Sequence, residues 1–340
     1  MPRVGDHGPS AGRHSDQRSE HPLTDHARRQ AIRSRYAAFG PRSFRHEVCA
    51  LPEQLDNTDR TRFAVAIAPP KSYVWREAFR EVAETVNIAL QRLGHSSVLT
   101  DALDLPGRRY ILFGSNTLSW WGIEIPDDAI LYNLEAVTPE SDWRSEELLE
   151  LFRRHHVWDY SRHNVAALEA AGVPRIQHVP IGGVPELDRI RPVATQDIDV
   201  LFVGTHSAKR AAPIERLRQA GYNAQLHAGV WGERRDELYA RAKIVLNLHG
   251  PTIFEAVRVT YLLANGIFVI SEKCHYPDEE EEFADGVVFV EYDRIVETCI
   301  RYLADHRARA DRIIAGREVM RKRSARKYLG AALAEPAFTG

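Results

Sequence analysis

Apolar and polar positions alternate in blocks along most of this chain, and the blocks fall into two successive series. Phe63-Ala64-Val65-Ala66-Ile67-Ala68 is a continuous apolar run stopped by Pro69-Pro70, the pattern of a strand buried on both faces. Trp75, Phe79, Val82, Val86 and Leu90 then recur at helical spacing, with Gly94 as the stop. Further strands are expected over 97–99, 110–113, 129–134, 157–160 and 176–179, and helices over 145–154 and 164–171. Proline and glycine cluster at Pro180-Ile181-Gly182-Gly183-Val184-Pro185, and a polar stretch follows over 186–196, which marks a linker. The alternation restarts with strands over 199–203, 224–227, 243–248, 267–270 and 287–290, and helices over 213–220, 234–241, 254–264, 295–303 and 308–322. Strand–helix alternation of this kind predicts parallel sheets covered by helices, hence an α/β chain. Two series give two Rossmann-like domains facing across a cleft, with ligand beyond the carboxyl ends of the strands. The expected boundaries are 61–182 for the N-terminal domain and 183–330 for the C-terminal one. Residues 1–60 read as a disordered or weakly structured leader with a short helix near 25–36, and 331–340 as a tail.

Length and composition narrow the function. The 340 residues suit two domains at about 100–200 residues each. A formal charge of −2 gives nucleic acid no electrostatic foothold. No apolar run approaches the roughly 20 residues of a membrane span. The first residues lack an apolar core, and Asp6, Asp16, Glu20 and Asp25 are out of place in a transit peptide. Cys49, Cys274 and Cys299 form no CxxC pair, so neither a zinc site nor a disulfide framework is expected, and a reducing cytoplasm is the default compartment. The histidines show no metal spacing.

Three segments could carry chemistry. The strand over 199–203 runs into Gly204-Thr205-His206-Ser207-Ala208-Lys209-Arg210. Gly204 would let backbone approach a diphosphate, Thr205 and Ser207 would donate hydrogen bonds, and Lys209 or Arg210 would supply positive charge. The alternative is an ordinary strand-to-helix turn with a solvated basic pair. Neither a GxGxxG fingerprint nor a Walker loop is present. The strand over 243–248 ends in Asn247 and His249, and Pro251 and Thr252 precede a helix bearing Glu255 and Arg258. These two are three positions apart and share a face that is otherwise apolar; a buried ionic pair of this kind points to a site. In the N-terminal series, Glu135 follows a strand and is the candidate general base or acceptor contact, with Asp159 and Ser161 as alternatives; Ser161 would equally well cap the helix after it. The acidic run 278–282 reads as a solvated loop.

With Tyr261-Leu262-Leu263-Ala264-Asn265-Gly266 and the strand leading to Ser271-Glu272, the composite resembles the donor domain of GT-B glycosyltransferases of the group-one type. It is most similar to a short subset whose blocks read here as Ala228-Gly229-Val230-Trp231-Gly232-Glu233-Arg234-Arg235-Asp236, then 242–249, 253–265 and 269–272. Upstream, Val157-Trp158-Asp159-Tyr160-Ser161, His178-Val179-Pro180-Ile181-Gly182 and 197–204 fit the same subset, so the resemblance runs over roughly 129–292. It implies a hexosyltransferase-like enzyme in which the C-terminal domain holds a nucleotide-diphosphate sugar and the N-terminal one an acceptor hydroxyl. It implies no cofactor and no obligatory metal, because cations and helix N-termini would stabilise the leaving diphosphate. Arg258, Lys209 and Arg210 would neutralise that diphosphate, Arg258 matching an arginine of the short subset. His249 and Glu255 would orient the sugar or base, with Gly229 and Asn247 among the donor contacts. The broad family often has two glutamates eight positions apart; here Ile253 and Tyr261 stand at those places, and Glu255 takes the first by a local shift. A non-catalytic binding module and a nucleotide-sugar epimerase are the rival readings.

Overall fold

The computed structural model describes residues 61–249 and 253–335. The leader with its expected helix, Cys49, Pro251, Thr252 and the end of the tail lie outside the described residues. The first series begins with β1 (Arg62–Ile67), α1 (Arg80–Arg92), β2 (Ser96–Thr100), β3 (Arg109–Phe113) and β4 (Ile130–Asn133). It continues with α2 (Glu146–Arg154), β5 (His156–Asp159), α3 (Arg162–Ala170) and β6 (Ile176–His178). The second has β7 (Ile198–Val203), α4 (Ala208–Gln219), β8 (Ala224–His227), α5 (Gly232–Arg241), β9 (Ala242–Asn247) and α6 (Ala256–Ala264). After these come β10 (Val269–Glu272), β11 (Val287–Val290), α7 (Ile295–Ala304), α8 (His306–Lys322) and α9 (Ala325–Ala334).

All pairings are parallel, in two sheets ordered β2-β1-β3-β4-β5-β6 and β11-β10-β9-β7-β8. In each, the chain leaves the first strand to one side and returns to its other side. The resulting switch points lie between β1 and β3 and between β7 and β9, where parallel sheets open a crevice at their carboxyl ends.

The continuous apolar runs are explained by burial on both faces. Phe63, Val65 and Ile67 of β1 join one core while Ala64 and Ala66 join another. In β7, Leu201 and Val203 face one way and Val200 and Phe202 the other. Each fully buried side chain of this kind contributes about 1.5–3 kcal/mol. The largest core draws residues from both sheets, so the two halves share one apolar contact.

The chain crosses between the halves twice, and the crossings touch. Gly183 N–H donates to Arg323 O at 2.7 Å and Ala325 N–H to Gly183 O at 3.2 Å. A Cβ on Gly182 would lie 2.4 Å from Ala325 N, so this approach requires glycine. After the second crossing α9 lies against α1, and Ala332 O accepts from Gln177 Nε2 at 3.3 Å. The last helix thus belongs to the packing of the first half.

The acidic run is not a solvated loop. Residues 277–281 form a short helical turn in which Glu279 and Glu280 are buried. It docks on the start of α3, where Ser161 Oγ donates to Glu279 at 2.5 Å, Arg162 pairs with Glu282 at 2.7 Å and His163 meets Asp278 at 2.9 Å. Carboxylates at a helix N-terminus are favoured by its free N–H groups and dipole. No helix among the described residues is long and apolar enough to cross a membrane.

Candidate active site between the two sheets

A cleft of about 680 Å³ opens where the carboxyl ends of the two sheets face each other. Its C-terminal wall is built from the end of β7, the loop after β8, and residues of α5 and α6. Beyond β7, Gly204 lines the cleft, and a Cβ there would come within 2.8 Å of the Phe202 ring and 3.2 Å of Arg258 Nη2. Glycine therefore leaves room for Arg258. Ser207 caps α4 by accepting from Arg210 N–H at 3.2 Å. The Arg210 guanidinium is buried, donating to Leu248 O at 3.2 Å, to Thr205 and to Glu255 Oε1 at 3.1 Å.

Glu255 is the N-cap residue of α6 and not a member of the helix. Its second oxygen accepts from Arg258 Nη1 at 3.0 Å, and the same Nη1 donates to Asn247 Oδ1 at 2.6 Å. Both guanidiniums lie over Phe202, 5.3 and 5.2 Å from its ring centre. Two arginines share one carboxylate on an apolar floor, at the start of a helix: a preformed anion seat. Glu255 lines the cleft with one oxygen on each of the two guanidiniums.

The opposite wall carries Glu135. Its backbone is clamped: its carbonyl accepts from Asn133 Nδ2 and from Asn164 Nδ2, both at 2.8 Å. Its side chain lines the cleft, where burial first and then the Glu255 charge push its carboxyl up to about 8. Asp159 does not reach the cleft, so its candidacy as a catalytic group is corrected. It is fully buried, accepts from Asn133 Nδ2 at 2.6 Å, Ser161 N–H at 2.9 Å and Asn164 Nδ2 at 3.1 Å. Burial raises its carboxyl to about 8 against those hydrogen bonds. It fixes the two asparagines that hold Glu135. Ser161 caps α3, accepting from Asn164 N–H at 3.3 Å.

Other expected contacts are divided. Thr205, Gly229 and Tyr261 line the cleft. The Tyr261 hydroxyl donates to Asp236 at 2.7 Å and accepts from Arg189 Nε at 2.9 Å. Asn247 is buried beneath Arg258, and its amide donates to Ser271 Oγ at 3.1 Å. Lys209 and His249, expected among the donor contacts, lie outside the cleft lining. Both are drawn to Glu272: Lys209 Nζ at 2.7 Å from its carboxylate, His249 N–H donating to that carboxylate at 3.2 Å, and His249 Nε2 2.7 Å from its carbonyl. Burial lowers the His249 pKa, keeping the ring neutral.

Sequence reasoning missed Arg235, which lines the cleft and spans the halves through a buried 2.7 Å pair with Glu81. It also missed the aromatic lips, where Trp75 of the first half meets Trp231 of the second edge to face at 5.9 Å. Arg235 and Trp231 stood in the block quoted for the resemblance, but Trp75 follows helical spacing and so looked like core.

Residues 188–334 match the model of a family described as glycosyl transferase-like. An uncharacterized protein of Acanthamoeba polyphaga mimivirus is 24% identical over 215 residues, 60% of this chain and 68% of the relative. Among solved structures, HepE of Anabaena in complex with UDP-glucose is similar with a TM-score of 0.54 at 12% identity, over 82% of this chain and 99% of that one. WaaG, a glycosyltransferase involved in lipopolysaccharide biosynthesis, is similar with a TM-score of 0.53 at 12% identity, over 79% of this chain and 98% of that one. At such identities the structures establish the fold, and the family match covers the half that forms the C-terminal wall. The chain thus has the fold of these structures, two Rossmann-like sheets around one cleft, and its second half is similar to the glycosyl transferase-like family.

Proposed function

We propose that this protein transfers a sugar from a nucleotide-diphosphate donor, seated on the C-terminal wall, to a hydroxyl of an acceptor on the N-terminal wall. The observation that carries the reading is the pairing of Arg210 and Arg258 on Glu255 beside Gly204, opposite a Glu135 carboxyl raised to about 8. The arginines would neutralise the diphosphate as the glycosidic bond breaks. Glu135 would accept the proton of the attacking hydroxyl, since a base is most useful with a pKa near the working pH. The UDP-glucose bound in HepE supports a nucleotide-sugar donor. Gly229 and Tyr261 would border the sugar and base. The reading needs no resident metal, because the charge is met by guanidiniums.

Titration calorimetry with UDP, GDP and dTDP tests the donor seat. Saturable binding of one of them is expected, weakened about tenfold or more in Arg258→Ala, since a hydrogen bond to a charged group is worth about 1.5–3 kcal/mol. Absence of binding at millimolar nucleotide would sink the reading. Transfer should also survive EDTA; a loss restored by Mg²⁺ would show that the arginines do not suffice.

A further inference from the structure

The groups on which the proposed transfer depends sit on different sheets: Glu135 follows β4, Arg210 follows β7 and Glu255 follows β9. Their separation is set by what ties the sheets together beside the cleft. Asp159, Tyr160 and Ser161, at the end of β5, are buried and do so in succession. Asp159 holds Asn164, which is buried too and grips the turn carrying Glu135 from both sides. Its Nδ2 donates to Glu135 O at 2.8 Å and its Oδ1 accepts from Val137 N–H at 2.9 Å. Moving this turn would leave buried polar groups without partners, which is costly. Tyr160 reaches the other half. Its side chain lines the cleft and its hydroxyl donates to Phe254 O at 3.3 Å, the carbonyl next to Glu255. The Phe254 ring is packed against Phe283 and Phe289, at 5.1 and 5.5 Å between centres. Ser161 Oγ accepts from Asn164 N–H at 3.3 Å and donates to Glu279 of the second half at 2.5 Å.

Resting on the transferase reading above, we infer that Tyr160 and Ser161 are positioning residues that hold Glu135 in register with the arginine seat across the joint of the two halves. Tyr160 acts through the Phe254 carbonyl, and Ser161 through Asn164 on one side and Glu279 on the other. In the transfer, the acceptor oxygen bonds the sugar carbon, its proton passes to Glu135, and the bond from that carbon to the diphosphate oxygen breaks, leaving the charge beside Arg210 and Arg258. Base and leaving group must therefore be placed together, and a misplacement of about 1 Å can cost about 10²-fold in rate. Binding of the nucleotide alone draws only on the C-terminal wall and does not need that register. Burial holds the Tyr160 phenol well above its ordinary range, so its hydroxyl keeps the proton it donates.

The wild-type protein and the variants Tyr160→Phe, Ser161→Ala, Glu279→Gln and Glu279→Ala are compared in nucleotide affinity, kcat, KM, pH profile and thermal unfolding, with the nucleotide sugar that calorimetry identifies. Tyr160→Phe and Ser161→Ala should each lower kcat about tenfold or more while the nucleotide Kd stays within about twofold of the wild type. Ser161→Ala also loosens the turn and admits water to Glu135, whose proton is held to about pH 8 chiefly by burial, so the midpoint of kcat/KM should move down. Glu279→Gln keeps an oxygen that accepts from Ser161 and should retain most of kcat, whereas Glu279→Ala should not. If Ser161→Ala does not fold, Tyr160→Phe, which deletes one hydroxyl, still decides. Unchanged kcat in either variant, or a loss confined to KM, overturns the inference and leaves the transferase reading standing. Failure of the wild type to bind any nucleotide sugar removes both.

Discussion

Glu135 and Glu255 face one cleft from opposite walls, and their surroundings divide the work between them. Glu255 is held by two guanidiniums and, in the proposed reaction, aims them. Glu135 is desolvated and feels the charge of Glu255, so its proton is held to about pH 8. As the base it must be ionised, so kcat/KM should rise with pH to a midpoint near 8 and fall below it. Glu135→Gln should lower kcat by about 10²–10⁴. Glu255→Gln removes a neighbouring negative charge and should move the midpoint down; a midpoint that stays or rises would refute the coupling. These roles were only partly legible in the sequence. The spacing of Glu255 and Arg258 disclosed a pair, but Arg210 as third member depends on β7 and β9 being neighbours. Asp159 and Glu135 looked alike as acids near strand ends. They separate only in three dimensions, where one points into the sheet connections and the other into the cleft.

The elements themselves were largely readable, because strands buried on both faces leave continuous apolar runs and the glycine stops end helices where expected. What periodicity does not carry is contact between distant elements. The acidic run 278–282 has the composition of a loop, yet the start of α3 supplies Ser161, Arg162 and His163 to meet it. The basic end of α8 likewise holds one side chain with a buried task. Arg323 pairs with Glu282, donates to Ile181 O at 3.3 Å and lies over Phe283 at 4.5 Å. Arg323→Ala should therefore destabilise by about 1–3 kcal/mol, the cost of leaving those partners unsatisfied. The neighbouring Arg321, exposed and paired only within its helix to Glu318 at 2.6 Å, should be replaceable without measurable change. Thermal unfolding of both variants decides; equal effects would remove the inter-half role of Arg323.

The molecule as a whole joins two sheets by paired crossings at Gly183 and Ala325 and by a shared core, and its chemistry is polarised across the joint. Among the described residues the three cleft arginines stand on one wall together with Glu255 and Trp231, and Glu81, Glu135, Glu140, Asp142, Trp75 and Trp143 stand on the other. That polarity is the arrangement a transferase needs if it is to bind an anionic donor and a hydroxyl-bearing acceptor side by side. The direct measurement is product analysis by mass spectrometry after incubation with nucleotide sugars and oligosaccharides. Release of a nucleoside diphosphate with an acceptor heavier by one glycosyl unit, both lost in Glu135→Gln and Arg258→Ala, is the result expected. Nucleotide sugar recovered intact at millimolar concentration, or products equally abundant in the two variants, would contradict the account.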